Sequence, residues 1–125
     1  MHDQLVQLLD ATKVSATAEV LNIHATDKWH ASSLPEAVVF AETTADIVKV
    51  MQFAHEHRIP VTTRGSGVGY VGGCVPEKGG IALSLSRMNR ILELNPADGI
   101  AVVQPGVITG TLQDTARGMG WFHGL

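Results

Sequence analysis

Ile59-Pro60-Val61-Thr62-Thr63-Arg64-Gly65-Ser66-Gly67-Val68-Gly69-Tyr70-Val71-Gly72-Gly73 is the stretch on which the fold turns. Its first half reads as a strand that opens after a proline. Its second half is crowded with glycine, which lets a backbone take positive φ and come close to a ligand. Successive N–H groups in such a segment can converge on an anion. Arg64 stands where the strand ends, suited to a charge-assisted contact with phosphate. Ser66 adds a hydroxyl donor.

Upstream, Ala37-Val38-Val39-Phe40-Ala41 is a continuous apolar run, as expected of a strand covered on both faces. Thr43 and Thr44 offer N-cap hydroxyls, and Asp46 falls in a first turn, where the helix dipole favours it. Ile47, Val50, Met51 and Ala54 follow at helical spacing. His55, His57 and Arg58 crowd the far end, and Pro60 stops the helix. Together these make a β-α-β unit.

Downstream, Ile81, Leu83 and Leu85 alternate with Ala82 and Ser84 as a third strand. Ile91 to Leu94 and Ile100 to Gln104 flank the turn composition Asn95-Pro96-Ala97-Asp98-Gly99, predicting a hairpin closed off by Pro105-Gly106. Leu112, Thr115, Ala116 and Met119 line one helical face, with Gly118 or Gly120 as the cap. Toward the N-terminus, Leu5, Leu8 and Leu9 mark a helix over Gln4–Leu9. Ala16–Ile23 is a second helical piece, and Thr26–Ser33 reads as loop.

Three phosphate-loop forms can be weighed against the glycine stretch. A Walker loop needs a terminal Gly-Lys-Ser/Thr, which is missing. Gly67-Val68-Gly69-Tyr70-Val71-Gly72 fits the dinucleotide pattern, but that pattern must open a helix. Gly73-Cys74-Val75-Pro76-Glu77-Lys78-Gly79-Gly80 cannot begin one. A non-helical glycine loop between two strands is what remains. A ligand-free connection is the bland alternative, disfavoured by the folding entropy of so many glycines.

Composition narrows the classes. The 125 residues suit one ordinary domain or a piece of a larger protein. Charged residues are 17%, below the usual quarter, which suggests surface covered by another chain or domain. Net charge is −3 with no basic run, against a nucleic-acid or membrane-surface partner. The single cysteine, Cys74, excludes an intramolecular disulfide and fits a reducing cytosol. With no neighbouring His or Lys to activate it, Cys74 reads as a packing residue. No apolar run approaches the ~18 residues that span a bilayer. His55 and His57, two apart on a helix, point away from each other, and His24, His30 and His123 are scattered, so no metal site is expected. No catalytic base or nucleophile can be named. Trp121 and Phe122 look like aromatics that pack on a partner.

Val38-Val39-Phe40, Asp46-Ile47-Val48, the stretch Ile59 to Gly67, Gly80-Ile81-Ala82-Leu83-Ser84-Leu85-Ser86-Arg87-Met88-Asn89-Arg90-Ile91 and Val103-Gln104-Pro105-Gly106-Val107 together resemble the FAD-linked oxidase family. That family includes vanillyl-alcohol oxidase, D-lactate dehydrogenase and the glycolate oxidase D subunit, and the likeness covers about residues 34 to 122. It implies an α+β fold with a β-α-β start, the first subdomain of a vanillyl-alcohol-oxidase-type FAD-binding domain, with a small mixed sheet and flanking helices. The implied division is an N-terminal helical segment over 1–33, the first subdomain over 34–106, and the start of a truncated second subdomain over 107–125.

The same likeness implies a FAD pyrophosphate held by Arg64, Gly65, Ser66, Gly67, Val68, Gly69, Tyr70 and Gly73. Where some members carry a flavin-linking histidine, this chain has Val68, which implies noncovalent flavin. The implied activity of the parent enzyme is oxidation of a small 2-hydroxy acid of the glycolate or D-lactate type. The chain is expected to be a fragment, inactive by itself. The competing expectation is a truncated module that folds, as a homo-oligomer, without flavin.

Overall fold

The computed structural model describes residues 1–25, 33–65, 76, 78–118 and 120. They fall into two compact units, Met1–Arg87 and Met88–Leu125.

The first unit is built on a four-stranded sheet. Its strands are β1 (Val14–Ser15), β2 (Ala37–Phe40), β3 (Val61–Arg64) and β4 (Ile81–Ser84), in the order β1-β2-β4-β3. β4 pairs in parallel with both β2 and β3, and β1 adds an antiparallel edge. The sheet is therefore mixed, with its last strand in sequence at its centre. Ala37, Val38 and Val39 are each fully buried, as are Ile81 and Ala82. Successive residues on a strand point to opposite faces, so both faces of the sheet are covered. Burial of each such valine or isoleucine contributes about 1.5–3 kcal/mol relative to exposure. Leu83 and Ser84 are buried too, so the alternation in β4 does not separate a wet face from a dry one.

Helix α1 (His2–Leu8) anchors the N-terminus through Leu5, which is fully buried. A 3-10 turn at Ala11–Lys13 leads into β1, where Val14 and Ser15 pair with Val39 and Val38. α2 (Ala18–Ile23) is capped by the Thr17 hydroxyl, which accepts from the Val20 N–H.

α3 (Thr44–His57) begins in a full capping box. The Thr43 hydroxyl accepts from the Asp46 N–H at 3.2 Å, and the Asp46 carboxylate accepts from the Thr43 N–H at 3.2 Å. Asp46 also accepts from the Glu42 N–H at 3.0 Å and from Lys13 Nζ at 3.1 Å. Burial by itself pushes this carboxyl up. The Glu42 N–H, Lys13 and the Thr43 N–H outweigh that and hold it below the ordinary value. Thr43 is thus the cap, with Thr44 the first helical residue. Val50 and Ala54 are buried as the spacing predicts, but Met51 is 48% exposed and Phe53 is buried instead. The helix ends at Arg58, which takes the left-handed conformation at φ 54°.

No helix is assigned among the described residues between β3 and β4. Ser66 to Val75 and Glu77 lie outside the described residues, and with them Gly73, Cys74 and most of the segment that would open a dinucleotide-type helix. Gly80, just before β4, has φ +72°, and a Cβ there would run into the Pro60 carbonyl oxygen. Only glycine fits this crossing.

The second unit starts with the hairpin of β5 (Ile91–Asn95) and β6 (Ile100–Val103), antiparallel and with an irregular register between Ile91 and Glu93. Asn95 and Asp98 hydrogen-bond across its turn, and Gly99 supplies a φ of +66°. Past β6, the Gly106 N–H donates to the Met88 carbonyl at 2.7 Å. α4 (Thr109–Gly118) buries Leu112 and Ala116 and leaves Thr115 exposed. Gly120, at φ +82°, follows it and donates its N–H to the Arg117 carbonyl. Thr26–Ser32, with His30, and Met119, Trp121, Phe122 and His123 lie outside the described residues. No described helix is long and apolar enough to cross a membrane.

Candidate functional site

The three parallel strands end side by side. Phe40 and Arg64 are both register partners of Ser84, so the carboxyl ends of β2, β4 and β3 form one edge. In open α/β sheets ligands bind outside the carboxyl ends of the strands. Arg64 is the last residue of β3, and its carbonyl accepts from the Leu85 N–H at 2.9 Å. Gly65 follows. A Cβ built on it would meet nothing within 4 Å, so the backbone there has open space beside it.

The rest of the edge was not marked by sequence spacing. Ser84 is 1% exposed, and its Oγ lies 3.0 Å from Ser86 Oγ. Arg87 donates from Nη1 to the Thr12 carbonyl at 2.7 Å and to Glu42 Oε2 at 3.3 Å. Its guanidinium lies 4.5 Å from the centroid of the Phe40 ring. His24 meets the same ring edge-on, at 5.4 Å between centroids. One histidine that looked scattered therefore stands beside the site. Burial pushes the His24 pKa down, the Val20 carbonyl partly offsets this, and the charge of Arg64 lowers it further.

These residues suit a pyrophosphate. The edge carries two guanidinium groups, and the backbone opens at Gly65, where the glycine stretch begins. Of the expected contacts, Arg64 and Gly65 are described; Ser66, Gly67, Val68, Gly69, Tyr70 and Gly73 lie outside the described residues. A shallow depression of about 680 Å³ at the other end of β3 is lined by His55, Glu56, Arg58 and Val61. It mixes both charge signs and lies off the carboxyl edge. In the last turn of α3, His57 Nδ1 bonds the Phe53 carbonyl at 3.0 Å, and the ring stacks on Phe53. Among the described residues no group of three or more His, Cys, Asp or Glu could hold a metal ion.

The fold is that of FAD-binding domains of the vanillyl-alcohol oxidase type. The solved structure of p-cresol methylhydroxylase superposes on 94% of this chain, with a TM-score of 0.82 and 28% identity. Residues 35–125 match the family described as FAD binding domain, and the chain belongs to that family. It is 38% identical over 91 residues to the glycolate oxidase subunit GlcD of Bacillus subtilis, covering 73% of this chain and 19% of the relative. It is 32% identical over 123 residues to the D-2-hydroxyglutarate dehydrogenase of Stutzerimonas stutzeri, covering 97% of this chain and 26% of the relative. The chain thus spans between a fifth and about a quarter of the length of these relatives.

Proposed function

We propose that this chain supplies the pyrophosphate-binding part of a flavin-dependent oxidoreductase acting on a small 2-hydroxy acid of the glycolate or D-lactate type. The observation that carries this is the position of Arg64 and Gly65. A cation and an open backbone stand at the carboxyl edge of a parallel strand trio, at the first residues of the glycine stretch, in a chain of the FAD-binding family. Arg64 offsets phosphate charge, and a glycine-rich backbone of this kind can offer N–H donors to phosphate oxygens. Val68 cannot form a histidyl bond to flavin, so this loop holds the cofactor without a histidyl link. When bound, the flavin supplies the redox chemistry by accepting a hydride equivalent from the 2-hydroxy acid. The residues of this chain bind, charge-balance and orient. The substrate class is supported by the two relatives, whose names are those of enzymes of glycolate and D-2-hydroxyglutarate.

The test is to purify the 125-residue chain, release any flavin by denaturation, and titrate the refilled or empty protein with FAD and with ADP. Saturable binding of both supports the loop as the pyrophosphate site. Absence of flavin together with no affinity for either ligand removes that function from this chain.

A second reading is a module that self-associates without flavin. Leu92, Ile100, Val102 and Ile108 in the second unit are between 42% and 72% exposed, which favours covering by another surface. Light scattering across a concentration series separates the two: association that FAD leaves unchanged, in a chain that binds no FAD, supports the module.

A further inference from the structure

We infer that His24 is a proton-linked member of the anion site at the carboxyl edge, gaining a proton when a pyrophosphate settles beside Arg64. This deepens the flavin-loop reading above and rests on it.

The geometry gives His24 one protonation site. Its residue is 8% exposed, and Nδ1 lies 2.8 Å from the Val20 carbonyl. Nδ1–H therefore donates within α2, and Nε2 is the nitrogen that takes up a second proton. The ring lies edge-on to Phe40, the last residue of β2. Phe40 and Arg64 flank Ser84 on either side, so they stand two strand spacings apart, about 10 Å. That Phe40–Arg64 spacing is about one Debye length at about 0.1 M salt, and through a buried edge the screening is weaker.

The charges around His24 can be named element by element. From α2, Glu19 is exposed and in the opposite turn. From the end of β2 comes Glu42, which is paired with Arg87, the cation that follows β4. From β3 comes Arg64, whose field acts on His24 directly. Arg87 is paired with Glu42; burial first, and the charge of Arg64 after it, lower the proton affinity of the His24 imidazole.

A pyrophosphate diester carries two negative charges. Beside Arg64 it reverses the field at His24 and raises its affinity for a proton. By linkage, a ligand that raises a proton affinity binds more tightly once that proton is present. Each unit by which His24 is raised gives up to about a tenfold gain in affinity on the acid side.

FAD is the probe, because its pyrophosphate is a diester with no group of its own titrating where histidine does. Affinity is measured on the 125-residue chain from about pH 5.5 to about pH 8, with proton uptake read from the buffer dependence of the binding heat. The ring resonances of His24, assigned by their loss in His24→Gln, are titrated with and without saturating FAD. The expected result is several-fold tighter binding at the acid end, net proton uptake, and an upward move of the His24 titration. His24→Gln loses the acid gain and the proton uptake. Binding of FAD with an unmoved His24 titration and no proton uptake overturns this inference and leaves the flavin loop standing. No binding at any pH overturns the loop reading, and this inference with it. Both wild-type measurements decide the matter even if His24→Gln fails to fold.

Discussion

Replacing Asp46 tests the join between the N-terminal segment and the β-α-β unit. Its carboxylate accepts from two backbone N–H groups, at 3.0 and 3.2 Å, and from Lys13 Nζ at 3.1 Å, with Asp46 itself 5% exposed. Asp46 is the N3 partner in the capping box, so its removal leaves the Thr43 cap and loses only the reciprocal half, at most the ~0.5–2 kcal/mol of a lost cap. A hydrogen bond to a charged group is worth about 1.5–3 kcal/mol, and bonds sharing one carboxylate do not add in full. Asp46→Ala should therefore destabilise the first unit by about 2–4 kcal/mol at neutral pH, on those two figures. With an m-value of about 2 kcal/mol per molar, that moves the urea midpoint down by about 1–2 M. Asp46→Asn keeps one acceptor oxygen but no charge, and should lose about half as much.

The pH dependence has a fixed sign. The folded carboxyl titrates below its ordinary value, so its extra stabilisation is complete above the unfolded value of about 3.9 and vanishes as pH falls through the lowered folded value. The gap between wild type and Asp46→Asn should close over that acid range. The assay is urea unfolding followed by amide hydrogen exchange in β2 and α3, at neutral pH and through the acid window. An unchanged midpoint for Asp46→Ala at neutral pH, or a gap of the same size on both sides of the window, refutes the argument.

Other substitutions probe the sheet and its edge. Gly80→Ala places a Cβ against the Pro60 carbonyl at a left-handed φ, and should cost more than about 2 kcal/mol, seen as a thermal midpoint lower by about 10 °C. Leu5→Ala removes a fully buried side chain and should cost about 2–5 kcal/mol, which urea unfolding of the first unit will show. Arg64→Gln should weaken FAD and ADP binding by about 10- to 100-fold, read by calorimetry, with the fold intact by circular dichroism. Equal affinity in Arg64→Gln would remove that side chain from the site.

β2 was legible because its apolar run is short and continuous, as a fully buried parallel strand requires; β4 was read from the alternation of Ile81, Leu83 and Leu85 with Ala82 and Ser84, although all four of its residues are buried. α3 was legible in its cap and its stop. Its buried face was misjudged by one position, because Met51 and Phe53 fall either side of the stripe and apolarity alone cannot choose between them. β1 was missed: a two-residue strand with one apolar member, Val14, has no period to read. Arg64 and Gly65 stood out through glycine density. His24, Ser84 and Arg87 did not, because what unites them is the edge made where β2 and β3 pair with β4, and that pairing joins residues 20 or 44 positions apart in the chain.

The central place of β4 also sets an order of events during synthesis. Until residues 81–84 leave the ribosome, β2 and β3 have no strand between them, and their inner edges are open to any other chain nearby. The glycine stretch and Gly80 must then deliver the last strand into a slot rather than onto a rim. A nascent chain halted after Arg64 should be the stage most prone to pair with its neighbours, and the arrival of four residues ends that exposure on both sides at once.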